Sequence, residues 1–140
     1  MNRIQIGKQE IIHFIGIGGI GMSGLAQIMK TMGFNVQGSD INQNKNIDNC
    51  KKLGIKIFKG HSKKNILKAT IIVKSSAIKK KNIELSYSKK RKIPSYDRIE
   101  MLANIIDLKK KIIITGSHGK TTTTSLVAKI ISTARLDPTI

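Results

Sequence analysis

Short apolar runs alternate with helix-patterned segments from the start of the chain. Residues 10–15 form an apolar run that predicts a buried strand, and a glycine-rich turn follows it. A helix is expected over residues 22–32, and Gly33 is placed to end it. The apolar face of this helix has four residues at helical spacing: Leu25, Ile28, Met29 and Met32. Residues 34–38 predict a second strand closing at Asp40, which completes a unit of the length that a βαβ crossover requires.

The same alternation continues in shorter form as far as residue 106. It predicts further strands at residues 55–58, 70–73 and 93–96. It predicts further helices at residues 47–53, 63–67, 82–90 and 98–106. Pro94 indicates a strand end or an edge strand, because proline cannot donate to the ladder. Alternation of this kind predicts an α/β domain with a doubly wound, Rossmann-like parallel sheet.

A charged stretch at residues 107–111 marks a domain boundary. After it, an apolar run at residues 112–115 predicts a new strand, and a second glycine-containing loop leads into a helix over residues 123–133. One strand and one helix cannot bury a sheet. We therefore expect residues 1–107 to be a complete domain and residues 108–140 to be the truncated start of a second one.

The first glycine-rich turn has the spacing Gly16-x-Gly18-x-x-Gly21 between a predicted strand and a predicted helix. A side chain there would block the tight turn and keep a diphosphate from the backbone N–H groups at the helix start. Asp40 lies where an acidic residue can accept hydrogen bonds from a ribose. The pattern predicts a site for a dinucleotide or a nucleotide diphosphate; a turn that only packs helix on strand is the alternative.

The second loop predicts phosphoryl chemistry. Gly119-Lys120-Thr121 after a strand is a phosphate-binding arrangement in which backbone N–H groups surround the phosphates, the lysine reaches the terminal ones and the threonine hydroxyl coordinates Mg²⁺. The spacing is shorter than the general pattern, since Ile114 stands where the first glycine is expected and Gly116 is the nearest one. The departure leaves two readings open, a chance match or a specific subfamily.

Composition changes this picture little. The formal net charge is +18, from 26 Lys+Arg against 8 Asp+Glu, but the lysines are scattered and aromatic residues make up only 4%. We therefore expect a solvated surface and no nucleic acid partner. Cys50 is the only cysteine and is expected to be a spectator thiol, which fits a reducing cytoplasm. No apolar run is long enough to span a bilayer, and the glycines within residues 11–26 argue against a signal peptide.

The two loops together resemble the Mur ligases, a family of ATP-dependent ligases that build peptidoglycan precursors for the bacterial cell wall. The run Gly116-Ser117-His118-Gly119-Lys120-Thr121-Thr122 is similar to the compact ATP loop of that family, and residues 13–24 resemble its front glycine loop. Further matches lie at residues 38–40, 60–61, 75–78, 98–102 and 136–139. Ser117 departs from the usual Thr, and Arg135 from the usual Gly, which predicts a less clean helix end.

The resemblance implies an activity and a set of partners. It implies a ligase that joins L-alanine to the lactyl carboxylate of UDP-N-acetylmuramate through an acyl phosphate, with ATP and Mg²⁺. It implies that residues 1–107 hold the UDP-sugar and residues 108–140 begin the central ATP-binding domain. The acidic and histidine residues that complete the metal sites, and the amino-acid domain, are expected downstream, so residues 1–140 alone are predicted not to ligate.

Carried over by position, the resemblance assigns roles to individual residues. It places Gly18, Gly19, Ile20 and Gly21 against the UDP moiety, Asp40, His61, Ser75 and Ser76 at its nucleotide end, and Arg98 on the substrate. It makes Lys120 the catalytic lysine and Thr121 the metal ligand, with residues 116–122 binding ATP. The sequence itself leaves other roles open. His61 could cap the following helix, Ser75 and Ser76 could form a strand-end turn, Arg98 could simply start a helix, and His118 could shape its loop.

Three other functions fit parts of the sequence. A nicotinamide-dependent oxidoreductase would use Gly16–Gly21 with Asp40 but leaves Gly119-Lys120-Thr121 unexplained. A non-catalytic UDP-sugar-binding fragment would use the first domain alone. A Mur ligase that attaches a whole peptide would use both loops, and the choice of amine rests on residues outside this chain. The oligomeric state is left open.

Overall fold

The computed structural model of the protein describes residues 3–108, 112–135 and 138. The chain forms two compact units, Met1–Leu108 and Lys109–Ile140. Which ligand each unit binds stays a prediction. In the part of the chain that is described, no helix has the length and apolar character needed to cross a bilayer.

Within residues 3–108, the first unit has five strands and four helices. The strands are β1 (Ile11–Ile15), β2 (Asn35–Asp40), β3 (Lys56–Lys59), β4 (Ile71–Lys74) and β5 (Ser95–Asp97). The helices are α1 (Ile20–Thr31), α2 (Lys45–Lys52), α3 (Ile83–Lys90) and α4 (Arg98–Asp107), and a short 3₁₀ helix covers Lys63–Ile66. All neighbouring strands are parallel, in the order β3-β2-β1-β4-β5. The predicted doubly wound parallel sheet is confirmed.

Alternation along the central strands assigns side chains to the two faces of the sheet. Ile12 and Phe14 of β1 pack on one face, where they meet apolar residues of α1 and α4. These helix residues include Leu25, Met29, Met101 and Ile105. Ile15 packs on the other face with Leu85 of α3. Helices therefore cover both faces, as parallel sheets require.

Local signals explain where the elements begin. The Asn44 side chain accepts the Ile47 N–H at the start of α2, and the Asn82 side chain accepts the N–H groups of Glu84 and Leu85 at the start of α3. Such caps satisfy backbone donors that the first helical turn leaves free. Pro94 directly precedes β5, which is an edge strand as predicted. Cys50 is buried in the core, and burial raises the pKa of its thiol, which agrees with a spectator role.

The second unit contains α5 (Lys120–Thr133). The helix begins three residues earlier than expected, because Gly119 in the left-handed conformation (φ +73°) ends the loop directly before Lys120. The strand predicted at residues 112–115 is absent: the segment has no partner strand within the described residues, and Ile112 and Ile113 are exposed. An apolar run becomes a strand only when another strand pairs with it.

The conformation after α5 explains why glycine is usual at position 135. Arg135 follows the helix cap Ala134 and takes the left-handed conformation, with φ +58°. This conformation favours glycine, because a Cβ crowds the following carbonyl oxygen. Of the match at residues 136–139, only residue 138 is among the described residues. Residues 109–111 of the predicted charged boundary also lie outside them.

Candidate functional site

The predicted binding residues of the first unit gather at the carboxyl edge of its sheet. The glycine loop follows β1, Asp40 ends β2, and His61 comes two residues after β3. Ser75 follows β4, and Arg98 begins α4 directly after β5. The strand order reverses between β1 and β4, and this is the position where open parallel sheets bind ligands.

The glycine loop is held against the end of β2. The N–H groups of Gly16 and Ile17 both donate to the Ser39 carbonyl, at 2.8 and 3.1 Å. Gly16 has φ +83°, a conformation that glycine takes without strain. Gly19 is the residue that caps α1, and no side chain occupies its capping position. The first N–H groups of α1 therefore open toward the crevice, with the positive end of the helix dipole.

Asp40 supports this loop from beneath. Its Oδ2 accepts the Gly18 N–H at 2.8 Å, and its Oδ1 accepts the Asn42 N–H at 2.9 Å. The side chains of Asn44 and Asn46 donate to the Gly18 carbonyl at 3.1 and 3.0 Å. Sequence reasoning missed both asparagines because they stand in a Lys/Asn-rich segment. Asp40 thus shapes the loop and directs its carboxylate at the protein's own backbone.

Arg98 lies over the start of α1. A Cβ built on Gly21 would be 3.0 Å from Cζ, Nε and Nη1 of the Arg98 guanidinium. A permanent positive charge therefore stands beside the open helix N-terminus, and both favour an anion. Ile20 next to them is 86% exposed, which leaves an apolar surface on the same loop.

Ser75 and Ser76 lie in the turn after β4, and Ser75 is next to Gly16 of the first loop. The Ser75 N–H donates to the Ile15 carbonyl at 3.3 Å, and its hydroxyl accepts the Ala77 N–H at 3.2 Å. Ser75 therefore forms the strand-end turn that the sequence left open as an alternative. Ser76 is exposed. Next to this turn, the Lys74 ammonium pairs with the Asp97 carboxylate, which connects β4 to β5.

His61 is attached to a buried polar cluster that the sequence did not reveal. Its Nδ1 lies 3.1 Å from the Ser39 hydroxyl and 3.2 Å from Oε2 of Glu84, and His13 Nε2 is 3.2 Å from the same oxygen. Glu84 and His13 are fully buried. Burial alone would raise the pKa of Glu84. Hydrogen bonding and favourable electrostatics from His13, together with hydrogen bonds from Ser39 and Asn65, outweigh burial and lower this pKa to about 2.

The loop of the second unit presents its predicted phosphate ligands to solvent. Gly116 and Gly119 have φ +147° and +73°, and no side chain caps α5. The Lys120 Nζ donates to the Gly116 carbonyl at 2.6 Å, which folds the lysine back over the loop. Ser117, His118, Thr121 and Thr122 are exposed. An open helix N-terminus beside a lysine and two threonine hydroxyls fits a nucleotide triphosphate with Mg²⁺. Within the described residues, His, Cys, Asp and Glu form no group of three suited to a metal.

Comparison with known proteins agrees with this arrangement. The Mur ligase family, catalytic domain, matches residues 11–110. UDP-N-acetylmuramate–L-alanine ligases from Pelagibacter ubique and Aquifex aeolicus are 65% and 53% identical over 99% and 91% of this chain. The crystal structure of a UDP-N-acetylmuramate–alanine ligase from Thermotoga maritima superposes with a TM-score of 0.76 at 36% identity, over 89% of this chain and 29% of that one.

A second similar solved structure is that of a ligase with a related activity. The ligase of UDP-N-acetylmuramate and a tripeptide from Neisseria meningitidis has a TM-score of 0.75 at 29% identity, over 90% of this chain and 40% of that one. The chain spans about 30% of the length of the Pelagibacter protein. The family match covers more than half of the chain and contains the glycine loop, the Asp40 support and Arg98. On this evidence the chain belongs to the Mur ligase family.

Proposed function

We propose that this chain is part of an ATP-dependent ligase that joins L-alanine to the lactyl carboxylate of UDP-N-acetylmuramate. In this proposal residues 1–107 bind the UDP-sugar and residues 108–140 supply the ATP loop. The names of the relatives at 65% and 53% identity support the choice of substrates. Their identity to this chain is well above the 29% of the tripeptide ligase, which favours L-alanine as the incoming amine.

The observation that carries the proposal is the pairing of Arg98 with the open start of α1. The guanidinium, the helix dipole and the N–H groups at the start of α1, which no side chain caps, all favour one diphosphate at the same point. Ile20 and Ser76 are both exposed on loops at this edge of the sheet, and we propose that they are available to the nucleoside. The position agrees with the strand-order reversal between β1 and β4.

The state of Asp40 argues against the oxidoreductase alternative. A nicotinamide site of this fold uses an acidic residue at the end of β2 to bind ribose hydroxyls. Here the Asp40 side chain accepts hydrogen bonds from the backbone N–H groups of Gly18 and Asn42 and is only 8% exposed. The role of Asp40 that we propose is therefore to support the loop under the diphosphate.

The second loop supplies the charge for phosphoryl transfer. A carboxylate is a poor acyl donor, because its charge is delocalised and oxide is a poor leaving group. Transfer of the terminal phosphoryl group of ATP to the lactyl carboxylate would give an acyl phosphate, which the amine of L-alanine attacks with loss of phosphate. In this scheme Lys120 and the N–H groups at the start of α5 bind the phosphates, and Thr121 holds the Mg²⁺ that neutralises their charge. The Mg²⁺ requirement and a cytoplasmic location stay predictions.

Calorimetric titration of the 140-residue chain with UDP-N-acetylmuramate and, separately, with NAD tests the proposal. We expect saturable binding of the UDP-sugar and no binding of NAD. Binding of NAD without binding of the UDP-sugar would overturn the assignment of the first loop. Addition of L-alanine, ATP and Mg²⁺ to the UDP-sugar complex of this chain is expected to give no ligation product.

A further inference from the structure

Glu84 on α3 is completely buried, and five groups lie within hydrogen-bond distance of its carboxylate. Its Oε1 accepts the Ser62 N–H at 3.2 Å and the Asn65 side-chain amide at 2.6 Å. Its Oε2 lies 2.6 Å from the Ser39 hydroxyl and 3.2 Å from one ring nitrogen each of His13 and His61. An ionised carboxylate has only acceptor positions, so each of these five groups must donate to it.

The Ser39 hydroxyl fixes the protonation of His61. Ser39 has one proton, and its shortest contact directs that proton to Glu84. Toward its other neighbours the Ser39 oxygen is therefore an acceptor. His61 Nδ1 faces this oxygen and the Glu84 carboxylate, which are both acceptors, so Nδ1 carries a proton. In the neutral ring, Nε2 is then unprotonated.

His13 follows the same logic and completes the cluster. Its Nε2 faces the acceptors of Ser39 and Glu84 and donates to them. Its Nδ1 accepts from the Gln37 side-chain amide at 3.0 Å, and the same amide donates to the Asn65 carbonyl at 2.8 Å. Each of these donors thus faces an acceptor, and each of these acceptors faces a donor.

We infer that Glu84 is a positioning residue which holds His61 as the Nδ1–H tautomer, so that its Nε2 accepts a hydrogen bond from an N–H or O–H donor of the uridine moiety. The inference rests on the proposed UDP-sugar site. The inner side of the His61 ring is occupied by Ser39 and Glu84, whereas its side chain is 15% exposed at the carboxyl edge of the sheet. Among residues 3–108 no protein group is hydrogen-bonded to His61 Nε2. Uridine offers its base N3–H and its ribose hydroxyls as donors.

The substitution Glu84→Gln separates this role from simple space filling. If the amide nitrogen takes the place of Oε2, it meets the donors of Ser39, His13 and His61. If it takes the place of Oε1, it meets the Ser62 N–H and the Asn65 amide. In either orientation the amide N–H groups face other donors. With the amide nitrogen in place of Oε2, His61 is forced toward the Nε2–H tautomer, and its Nε2 can no longer accept a hydrogen bond from the ligand. Glu10→Gln is the matched control, because Glu10 lies directly before β1 at the amino edge of the sheet.

The tautomer can be read directly by ¹⁵N NMR of the histidine rings in the 140-residue chain at a pH where the rings are neutral. We expect a protonated Nδ1 and an unprotonated Nε2 for His61, unchanged in Glu10→Gln. A protonated Nε2 in the unsubstituted chain would overturn the inference. This measurement needs no ligand, so it decides the tautomer even if Glu84→Gln fails to fold or UDP fails to bind.

Binding of UDP tests the recognition step. We expect Glu84→Gln to weaken UDP about tenfold while Glu10→Gln leaves its affinity unchanged. N3-methyl-UDP, 2′-deoxy-UDP and 3′-deoxy-UDP each lack one of the uridine donors. The analogue that lacks the donor accepted by His61 Nε2 should bind more weakly than UDP to the unsubstituted chain. In His61→Phe, that analogue and UDP should bind equally. Equal binding of UDP and all three analogues to the unsubstituted chain would overturn the inference and leave the proposed function standing. Absence of UDP binding altogether would instead refute the proposed function.

Discussion

The Gly18 N–H donates to Oδ2 of Asp40 at 2.8 Å, so the carboxylate that ends β2 holds the glycine loop that follows β1. Asp40→Asn replaces one acceptor oxygen by an amide, which must face the N–H of Gly18 or of Asn42. We expect a loss of about 1–3 kcal/mol in the free energy of unfolding, measured with urea. Asp48→Asn is the control: Asp48 is exposed in the first turn of α2 and accepts a surface hydrogen bond from Gln43, which an asparagine oxygen can also accept. This change should alter the free energy of unfolding by about 0.5 kcal/mol or less. Equal effects would show that Asp40 does not support the loop.

Gly21 and Gly24 allow the contact with Arg98 to be tested within one helix. Nothing lies within 4 Å of a Cβ on Gly24, so Gly24→Ala should stabilise α1 by about 0.5–1 kcal/mol and leave UDP-sugar affinity unchanged. Gly21→Ala should displace the Arg98 guanidinium from the helix start, because its Cβ would lie 3.0 Å from that group. We expect calorimetry to give about tenfold weaker UDP-sugar binding for Gly21→Ala. Equal affinities for the two variants would contradict this role of Arg98.

Acid should unfold the first unit through Glu84. The pKa of Glu84 is about 2 in the fold, below its ordinary value of 4.5. A lowered folded-state pKa gives stability that is present above about pH 4.5 and is lost as the pH falls toward 2. The loss from this group is on the order of 3 kcal/mol. Urea unfolding between pH 6 and 2 should show this slope in the unsubstituted chain and a smaller slope in Glu84→Gln. Identical slopes would show that Glu84 titrates normally.

Lys120 should contribute to ATP binding, and Lys129 on the same helix should not. Lys120 folds back over the loop and donates to the Gly116 carbonyl, whereas Lys129 is exposed nine residues further along α5. Lys120→Met should weaken ATP binding at least tenfold, and Lys129→Met should leave it unchanged, both measured by calorimetry on the 140-residue chain. Failure of the unsubstituted chain to bind ATP, or equal affinities for the two variants, would contradict the assignment.

The sequence predicted what depends on local patterns. The alternating apolar residues of β1 and the helical spacing of Leu25, Met29 and their neighbours were enough to place the sheet and α1. The turns at Gly16 and Gly119 could also be predicted from the sequence, because only glycine takes their left-handed conformations without strain. The prediction of a strand at residues 112–115 was wrong, because strand pairing depends on a second segment and not on the local pattern.

The sequence could not predict contacts between distant polar residues. Glu84 stands 71 residues from His13 and 45 from Ser39, and no local pattern connects them. Its only local signal is its place on the buried side of α3 with Leu85 and Ser88, where a charged residue needs a partner. The contact between Asp40 and Gly18 was missed for the same reason. The position of Asp40 at the end of β2 predicts a ligand contact, which stays a prediction, and no local pattern indicated that its carboxylate accepts the Gly18 N–H.

We propose that the carboxyl edge of the sheet in Met1–Leu108 binds a UDP-sugar. The most direct measurement is amide chemical-shift mapping of the ¹⁵N-labelled 140-residue chain during titration with UDP-N-acetylmuramate. We predict saturable shifts at Gly18–Gly21, His61, Ser76 and Arg98, and none at the amino edge around Lys56. Shifts confined to other parts of the chain, or no shifts at saturating concentration, would contradict UDP-sugar binding at this edge.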